Sequence, residues 1–361
     1  MAIVKADAYG HGAERVAHTL FEEGVRHFAV ARPAEGVALR KAGLPGRILV
    51  LAAPFPDQLG VYAEHNLDLT VSSTETAEAV AETAGPATPL RVHVAADTGM
   101  GRIGLTPADV PTVAHRLADT AGVTLAGVWT HLATADAPDS AQAQTQLDRF
   151  DGVLDQLETR PEHVHVGNTG ALLTVGDRVT TGPARLLRTG IALYGYAATP
   201  ALDEQIALHP VMQLKARVTH VKTVPAGTPV SYGATWTAPE RCRIATLGVG
   251  YGDGYPRLGS GQAVVRINEA TRPVVGTICM DMCMVNLGPP ESPAAAVEVG
   301  DEAILFGPSG PTLFDVADWA QTIPYEICCG ISPRVPRRYT DSAGAEAPTD
   351  DATVASSTAA T

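Results

Sequence analysis

Lys5 closes the apolar run Ala2-Ile3-Val4 and opens onto Ala-Asp-Ala-Tyr-Gly-His-Gly at positions 6–12. Desolvation disfavours the charged form of a lysine at the carboxyl end of a buried strand, so its pKa falls. A neutral amine can attack a carbonyl and form a Schiff base. An isolated strand-end lysine more often extends its stem and keeps its ammonium in water. Lys5 therefore gains weight only from its company. Asp97-Thr98-Gly99-Met100-Gly101-Arg102, then His131, then Asn168-Thr169-Gly170, then Arg188-Thr189-Gly190-Ile191 each follow a short apolar run of their own.

The elements that must position these groups are short and alternate. Strands are expected at Ala2–Lys5, His27–Ala31, Arg47–Leu51, Asp68–Val71, Leu90–Val94, Leu125–Thr130, His163–Val166 and Arg185–Arg188. Helical patterns lie between them. The stretch from Ala13 to Glu23 sets Val16, Ala17 and Leu20 on one face and stops at Gly24. Ser73 caps Glu75–Thr83, and Gln142–Glu158 carries Leu147, Phe150, Leu154 and Leu157. Eight strands alternating with helices suggest an α/β fold of the (β/α)8 barrel type. An open doubly wound sheet is the alternative, but no Gly-x-Gly-x-x-Gly turn follows the first strand.

Past about residue 207 the runs become short and β-branched, separated by Pro and Gly turns: Leu214–Val224, Arg243–Val249, Val264–Ile267, Met284–Leu287 and Ala303–Phe306. We expect a barrel over residues 1–206 and a mostly-β domain over 207–340, with a helix at Phe314–Gln321. Residues 341–361 are rich in Ala, Ser, Thr and Asp without an apolar period, and a disordered tail is expected there.

The chain of 361 residues is 45% hydrophobic, enough for a large core. Lys and Arg number 26 against 39 Asp and Glu, a net charge of -13 that argues against nucleic acid or an anionic membrane as partner. Five cysteines without a Cys-x-x-Cys pair fit neither a disulfide framework nor a zinc site. With no signal peptide and no apolar run of spanning length, a cytoplasmic location is expected.

In a barrel of this type the chemistry gathers at the carboxyl ends of the strands, and the loops after strands 7 and 8 commonly hold phosphate. One lysine, two arginines and a histidine converge on that rim. The Thr169 hydroxyl and the backbone of Gly190 and Ile191 are free to face an anion. A carbonyl-reactive lysine beside a phosphate cradle suggests pyridoxal 5'-phosphate, which carries both an aldehyde and a phosphate. A phosphorylated sugar, with Lys5 in an aldolase-like role, is the competing ligand.

Ordered motifs then carry a resemblance along nearly the whole chain. Val4-Lys5-Ala6-Asp7-Ala8-Tyr9-Gly10-His11-Gly12, Asp97 to Arg102, Arg188 to Gly195, Ser231-Tyr232-Gly233-Ala234-Thr235, Gly250-Tyr251-Gly252-Asp253-Gly254, Cys279-Met280-Asp281, Pro324-Tyr325-Glu326 and Arg334-Val335-Pro336-Arg337 resemble the alanine racemases, pyridoxal-phosphate enzymes of fold type III. The resemblance implies interconversion of L-alanine and D-alanine in a head-to-tail homodimer, supplying D-alanine for peptidoglycan. Lys5 would hold the cofactor and act as one base, with Tyr232 of the partner subunit as the opposite base. Arg188 would donate to the pyridine nitrogen, and His131 would link Tyr232 to Arg188. Arg102 would seat the substrate carboxylate. Tyr9, Asn168, Thr169, Gly190, Ile191 and Tyr325 would hold the cofactor, while Met280 and Tyr251 would line the substrate entrance.

Two features depart from the family's pattern. Ala95 stands where a lysine, commonly carbamylated, is usual. The sequence begins almost at the lysine strand, without the strand and helix that usually precede it; a mis-assigned start or a truncated chain accounts for this, and a genuinely short form would leave an edge of the β domain open and the barrel without a covering helix. Three other readings stand beside the first: a racemase of broader specificity, an N-terminally shortened relative of low activity, and a single-barrel carrier of pyridoxal phosphate. The carrier would lack the β domain and Tyr232. Decarboxylases of related fold place a carboxylate at the pyridine nitrogen, which Arg188 argues against.

Overall fold

The computed structural model describes residues 1–340 apart from 138, 159–160, 182–184 and 293–295. The expected tail, 341–361, lies outside the described residues. Eight parallel strands follow one another in chain order: β1 (Ala2–Ile3), β2 (His27–Val30), β3 (Arg47–Val50), β4 (Asp68–Val71), β5 (Leu90–Ala95), β6 (Val123–Trp129), β7 (His163–His165) and β8 (Arg185–Leu186). Thr189 joins the last strand to the first: the Ile3 amide donates to the Thr189 carbonyl at 2.9 Å, and Ala2 and Thr189 form a parallel bridge. The order is sequential and the ring closes, which excludes the doubly wound sheet. Phe28, Ile48, Leu69, Val92 and Val128 are fully buried, as strands covered on both faces require.

Lys5 does not end a strand as expected. The strand stops at Ile3, and Ala6, Asp7, Ala8 and Tyr9 form one turn of left-handed helix with φ between 52° and 54°. Side chains with a Cβ resist this conformation by about 1–2 kcal/mol each, so other contacts must hold it. The Ala6 amide donates to Glu35 Oε1 at 2.6 Å, and the second oxygen of Glu35 takes the amides of Ala31 and Arg32. Asp7 Oδ1 accepts from the amide of Ala13. Gly10 follows with φ 79°, where a Cβ would lie 2.2 Å from the carbonyl oxygen of Cys328. Only glycine lets the turn approach the second domain this closely.

The second domain begins with the long strand β9 (Leu214–Val224) and a two-stranded hairpin, β10 (Pro229–Val230) with β11 (Trp236–Thr237). Five strands follow: β12 (Cys242–Leu247), β13 (Val264–Ile267), β14 (Ala270–Val275), β15 (Cys283–Gly288) and β16 (Glu302–Phe306). Six of them close in the order β12-β15-β14-β13-β16-β9. The open edge expected of a short form is therefore not found among the described residues. Strand β14 and the helix Pro324–Gly330 are additional to the expected elements. That helix packs on the left-handed turn, where Arg337 Nε donates to the carbonyl of Gly10 and the Tyr339 hydroxyl to that of His11. No helix is long and apolar enough to cross a membrane among the described residues.

Candidate active site

The carboxyl ends of the barrel strands open into a cavity of about 610 Å3. Lys5 enters it from the start of the left-handed turn, beside Arg102 and Cys329. Burial pulls the lysine pKa below its ordinary value. The Arg102 and Arg188 guanidinium groups act in the same direction, while Cys329 and Glu35 oppose them.

Arg188 is buried just past the end of β8, 4% exposed. Its Nη1 donates to the carbonyl of His165 at 2.8 Å. Its Nη2 donates to the carbonyls of Thr130 and Val166 at 2.8 and 2.9 Å. Each end also meets an imidazole, His165 Nδ1 at 3.2 Å and His131 Nδ1 at 3.1 Å. A guanidinium has no acceptor, so neither Nδ1 can carry a hydrogen toward it, and a neutral ring then carries its hydrogen on Nε2. His131 is neutral: burial, then Arg188, Arg102 and Lys5, bring its pKa down to about 3. Burial and Arg102 lower that of Arg188 to about 9, which leaves it charged at neutral pH.

The opposite corner is rich in hydrogen-bond donors. Thr169 and its capping neighbour Asn168, whose Oδ1 accepts from the amide of Ala171, lie at the start of the helix Thr169–Thr174. Gly190 and Ile191 follow β8. A Cβ on Gly190 would lie 2.8 Å from the Tyr9 hydroxyl, so the glycine leaves this corner open. The Tyr9 ring lies 5.8 Å from that of Tyr325, which comes from the second domain. Burial raises both phenol pKa values, and both hydroxyls remain protonated. Among the described residues, no carboxylate lines the cavity.

The loop bearing Arg102 is set by Asp97. Its Oδ1 accepts from the amides of Gly99, Met100 and Gly101 at 2.9–3.0 Å. Burial opposes ionisation of this carboxyl, but the amides outweigh it and lower its pKa. Ala95 is buried at the end of β5. Among the described residues, nothing hydrogen-bonds or ion-pairs with the Arg102 guanidinium.

Ten of the expected site residues thus share one cavity: Lys5, Tyr9, Arg102, His131, Asn168, Thr169, Arg188, Gly190, Ile191 and Tyr325. The other three do not join it within one chain. Tyr232, Tyr251 and Met280 lie on the β domain and are 74%, 43% and 53% exposed. Tyr232 stands on a tight turn in which Ser231 and Ala234 have φ 69° and 47°. The hydroxyl of Thr277 donates to its carbonyl at 2.8 Å. Sequence reasoning missed Trp129 and Cys329, which also line the cavity. Trp129 ends an apolar strand and could have been found by the same rule that found His131. Cys329 belongs to a helix that was not expected.

Comparison with known proteins agrees with this architecture. The family model for the N-terminal domain of alanine racemase matches residues 1–198, and that for the C-terminal domain matches residues 211–339. The alanine racemase of Desulforamulus reducens is 42% identical over 346 residues, covering 94% of this chain and 91% of the relative. That of Deinococcus radiodurans is 42% identical over 336 residues, covering 93% and 90%. Among solved structures, alanine racemase of Clostridium difficile 630 superposes with a TM-score of 0.88 at 34% identity, covering 96% of this chain and 90% of that one. The enzyme from D-cycloserine-producing Streptomyces lavendulae gives 0.83 at 36% identity, covering 93% and 89%. The chain belongs to the alanine racemase family.

Proposed function

We propose that the protein is a cytoplasmic homodimer that interconverts L-alanine and D-alanine with pyridoxal 5'-phosphate, supplying D-alanine for peptidoglycan. The observation that carries this reading is the shared cavity: a depressed lysine, a buried arginine and a donor-rich, carboxylate-free corner. These residues fit the cofactor. Lys5 suits an aldehyde, and Arg188 suits a pyridine nitrogen. Tyr9, Thr169, Tyr325 and the backbone of Gly190 and Ile191, with Asn168 beside them, suit a phosphate. When bound, the cofactor acidifies the amino acid's Cα–H by delocalising the electron pair left behind.

The chain's own residues then divide the work. Lys5 takes or returns the proton on one face of Cα, and its burial beside Arg102 and Arg188 shifts its pKa in the direction a base needs. Tyr232 of the partner subunit serves the other face, which explains its exposure in a single chain. The Nε2 hydrogen of His131 is free to donate to that phenolic oxygen. Arg102 seats the substrate carboxylate, and Met280 with Tyr251 borders the entrance.

Arg188 keeps its own proton, so a ring nitrogen facing it stays unprotonated and draws electrons weakly. Replacing Arg188 by Glu is expected to raise transamination relative to racemisation. The ratio of pyruvate to D-alanine formed measures this, and an unchanged ratio rejects the role. Arg102, whose guanidinium has no hydrogen-bond or ion-pair partner among the described residues, leads to another expectation. Ala95→Lys should make activity depend on bicarbonate, through a carbamate whose charge holds the guanidinium. Identical rates with and without bicarbonate would count against it.

The reading as a whole is tested by loading the purified protein with pyridoxal phosphate. A visible absorbance band, its loss on borohydride reduction, and conversion of L- to D-alanine followed by circular dichroism are all expected. Absence of both the band and the conversion overturns it.

A further inference from the structure

Barrels of this type fill their interior with layers of branched apolar side chains. Here polar groups interrupt that packing, and four of them form a line. Asp68 begins β4 at the amino-terminal mouth, His93 lies within β5, His165 ends β7, and Arg188 follows β8 at the carboxyl-terminal mouth. None is more than 4% exposed. Polar groups this deep are costly unless each finds a partner.

They are linked end to end. Arg188 Nη1 lies 3.2 Å from His165 Nδ1, His165 Nε2 lies 2.9 Å from His93 Nδ1, and His93 Nε2 lies 3.4 Å from Asp68 Oδ2. One end determines every hydrogen between. The guanidinium can only donate, so His165 Nδ1 accepts and the hydrogen of that ring is on Nε2. It faces His93 Nδ1, which accepts in turn. The hydrogen of His93 is then on Nε2, aimed at a carboxylate that only accepts. Every donor meets an acceptor, whereas the reverse order would set donor against donor at Arg188. Complete burial, with His93 and Arg188 acting the same way, keeps His165 neutral as this order requires.

The surroundings fit the chain closely. A Cβ on Gly127 would lie 2.2 Å from His93 Nδ1, so β6 makes room for this ring. The Trp129 ring stacks on His165 at 5.9 Å and also lies 5.0 Å from the Arg188 guanidinium carbon. Beyond the far end, Arg47 Nη2 and Arg91 Nε each stand 3.5 Å from Asp68 Oδ1. These two cations attract that oxygen as ion pairs, though neither hydrogen-bonds to it, and the other oxygen faces His93.

We propose that Asp68, His93 and His165 form a directed hydrogen-bond relay that positions the Arg188 guanidinium from the opposite mouth of the barrel. Asp68 is then a positioning residue for chemistry that takes place at Lys5. The effect on the reaction rests on the racemase reading, whereas the relay itself does not.

The discriminating variant is Asp68→Asn. Arg47 and Arg91 draw the amide oxygen toward themselves, which turns the NH2 toward His93. Both imidazoles must then exchange tautomers, and the hydrogen of His165 on Nδ1 confronts Arg188 Nη1. We expect kcat to fall by about ten- to a hundredfold, the scale on which outer-shell partners act. KM for alanine should stay near its original value, and the transamination ratio should rise as in Arg188→Glu. An independent readout comes from long-range 1H–15N NMR of the cofactor-free full-length protein, with signals assigned through His93→Gln and His165→Gln.

In the unmodified chain both rings should carry hydrogen on Nε2, and in Asp68→Asn both should carry it on Nδ1. Hydrogen on Nδ1 of either ring in the unmodified chain overturns the relay, even if Asp68→Asn fails to fold. So does a folded Asp68→Asn protein with unchanged kcat and transamination ratio, or one that slows without a change of tautomer. Should the loaded, unmodified protein fail to racemise alanine, the tautomer result would stand by itself, which separates the two failures.

Discussion

In Lys5→Ala, loaded with pyridoxal phosphate, racemisation is expected to fall by roughly four orders of magnitude, the upper range for loss of a positioned acid–base group. Borohydride should no longer fix the cofactor to the chain. The structure gives the physical ground. Lys5 lines the cavity together with Arg102 and Arg188, and burial with both guanidinium groups lowers its pKa. No second lysine lines that cavity among the described residues, so no neighbour stands ready to replace it. Circular dichroism gives the rate, and mass spectrometry after borohydride gives the site of attachment. A cofactor still fixed to the Lys5→Ala chain would assign the attachment to another residue and remove Lys5 from its role.

Tyr232→Phe removes only a hydroxyl from an exposed ring, so the fold should persist while conversion falls by roughly two to four orders of magnitude. Exchange of the α-hydrogen of D-alanine with deuterated water should continue if Lys5 is, as the family resemblance implies, the base on the D-face. The division between subunits is tested by mixing. A dimer of one Lys5→Ala chain and one Tyr232→Phe chain contains one intact site and one doubly damaged site. Random reassortment of equal amounts should restore about a quarter of the original activity, because half of the dimers are mixed and each has one site of two. Restoration to no more than the sum of the two variants would mean that each chain supplies its own Tyr232.

Much of the frame was legible because the strands are uniform in kind. Asp68–Val71, Leu214–Val224 and Val264–Ile267 coincide with the structure to the residue. Runs that combine β-branched residues with a turn signal at each end leave little choice. Strand β14 was missed because Pro273 and two polar residues interrupt it. Such a sequence is suited to a strand only when its neighbours are already in place. The helix Pro324–Gly330 is too short for a helical period to show.

The site was read through position, since residues that follow barrel strands share a rim. Residues inside the strands escaped that rule. His93, His165 and Asp68 face the interior, but this depends on the phase of each strand, which the apolar pattern leaves open when His163 and His165 alternate about a single valine. The left-handed turn was equally silent. Ala and Tyr carry no preference for positive φ and Asp only a modest one, so Gly10 and Gly12 give the main hint.

That turn has a bearing on how the protein can change. Over Ala6 to Tyr9, an ordinary L-residue exchanged for another retains the same backbone penalty, whereas glycine removes it. A library selected for thermal stability would therefore tend to collect glycines in this stretch. The same exchange would free the segment that holds the Lys5 backbone and would dissolve the Tyr9 face of the donor corner. Variants chosen for heat resistance and variants chosen for turnover should accordingly diverge here before they diverge in the hydrophobic core.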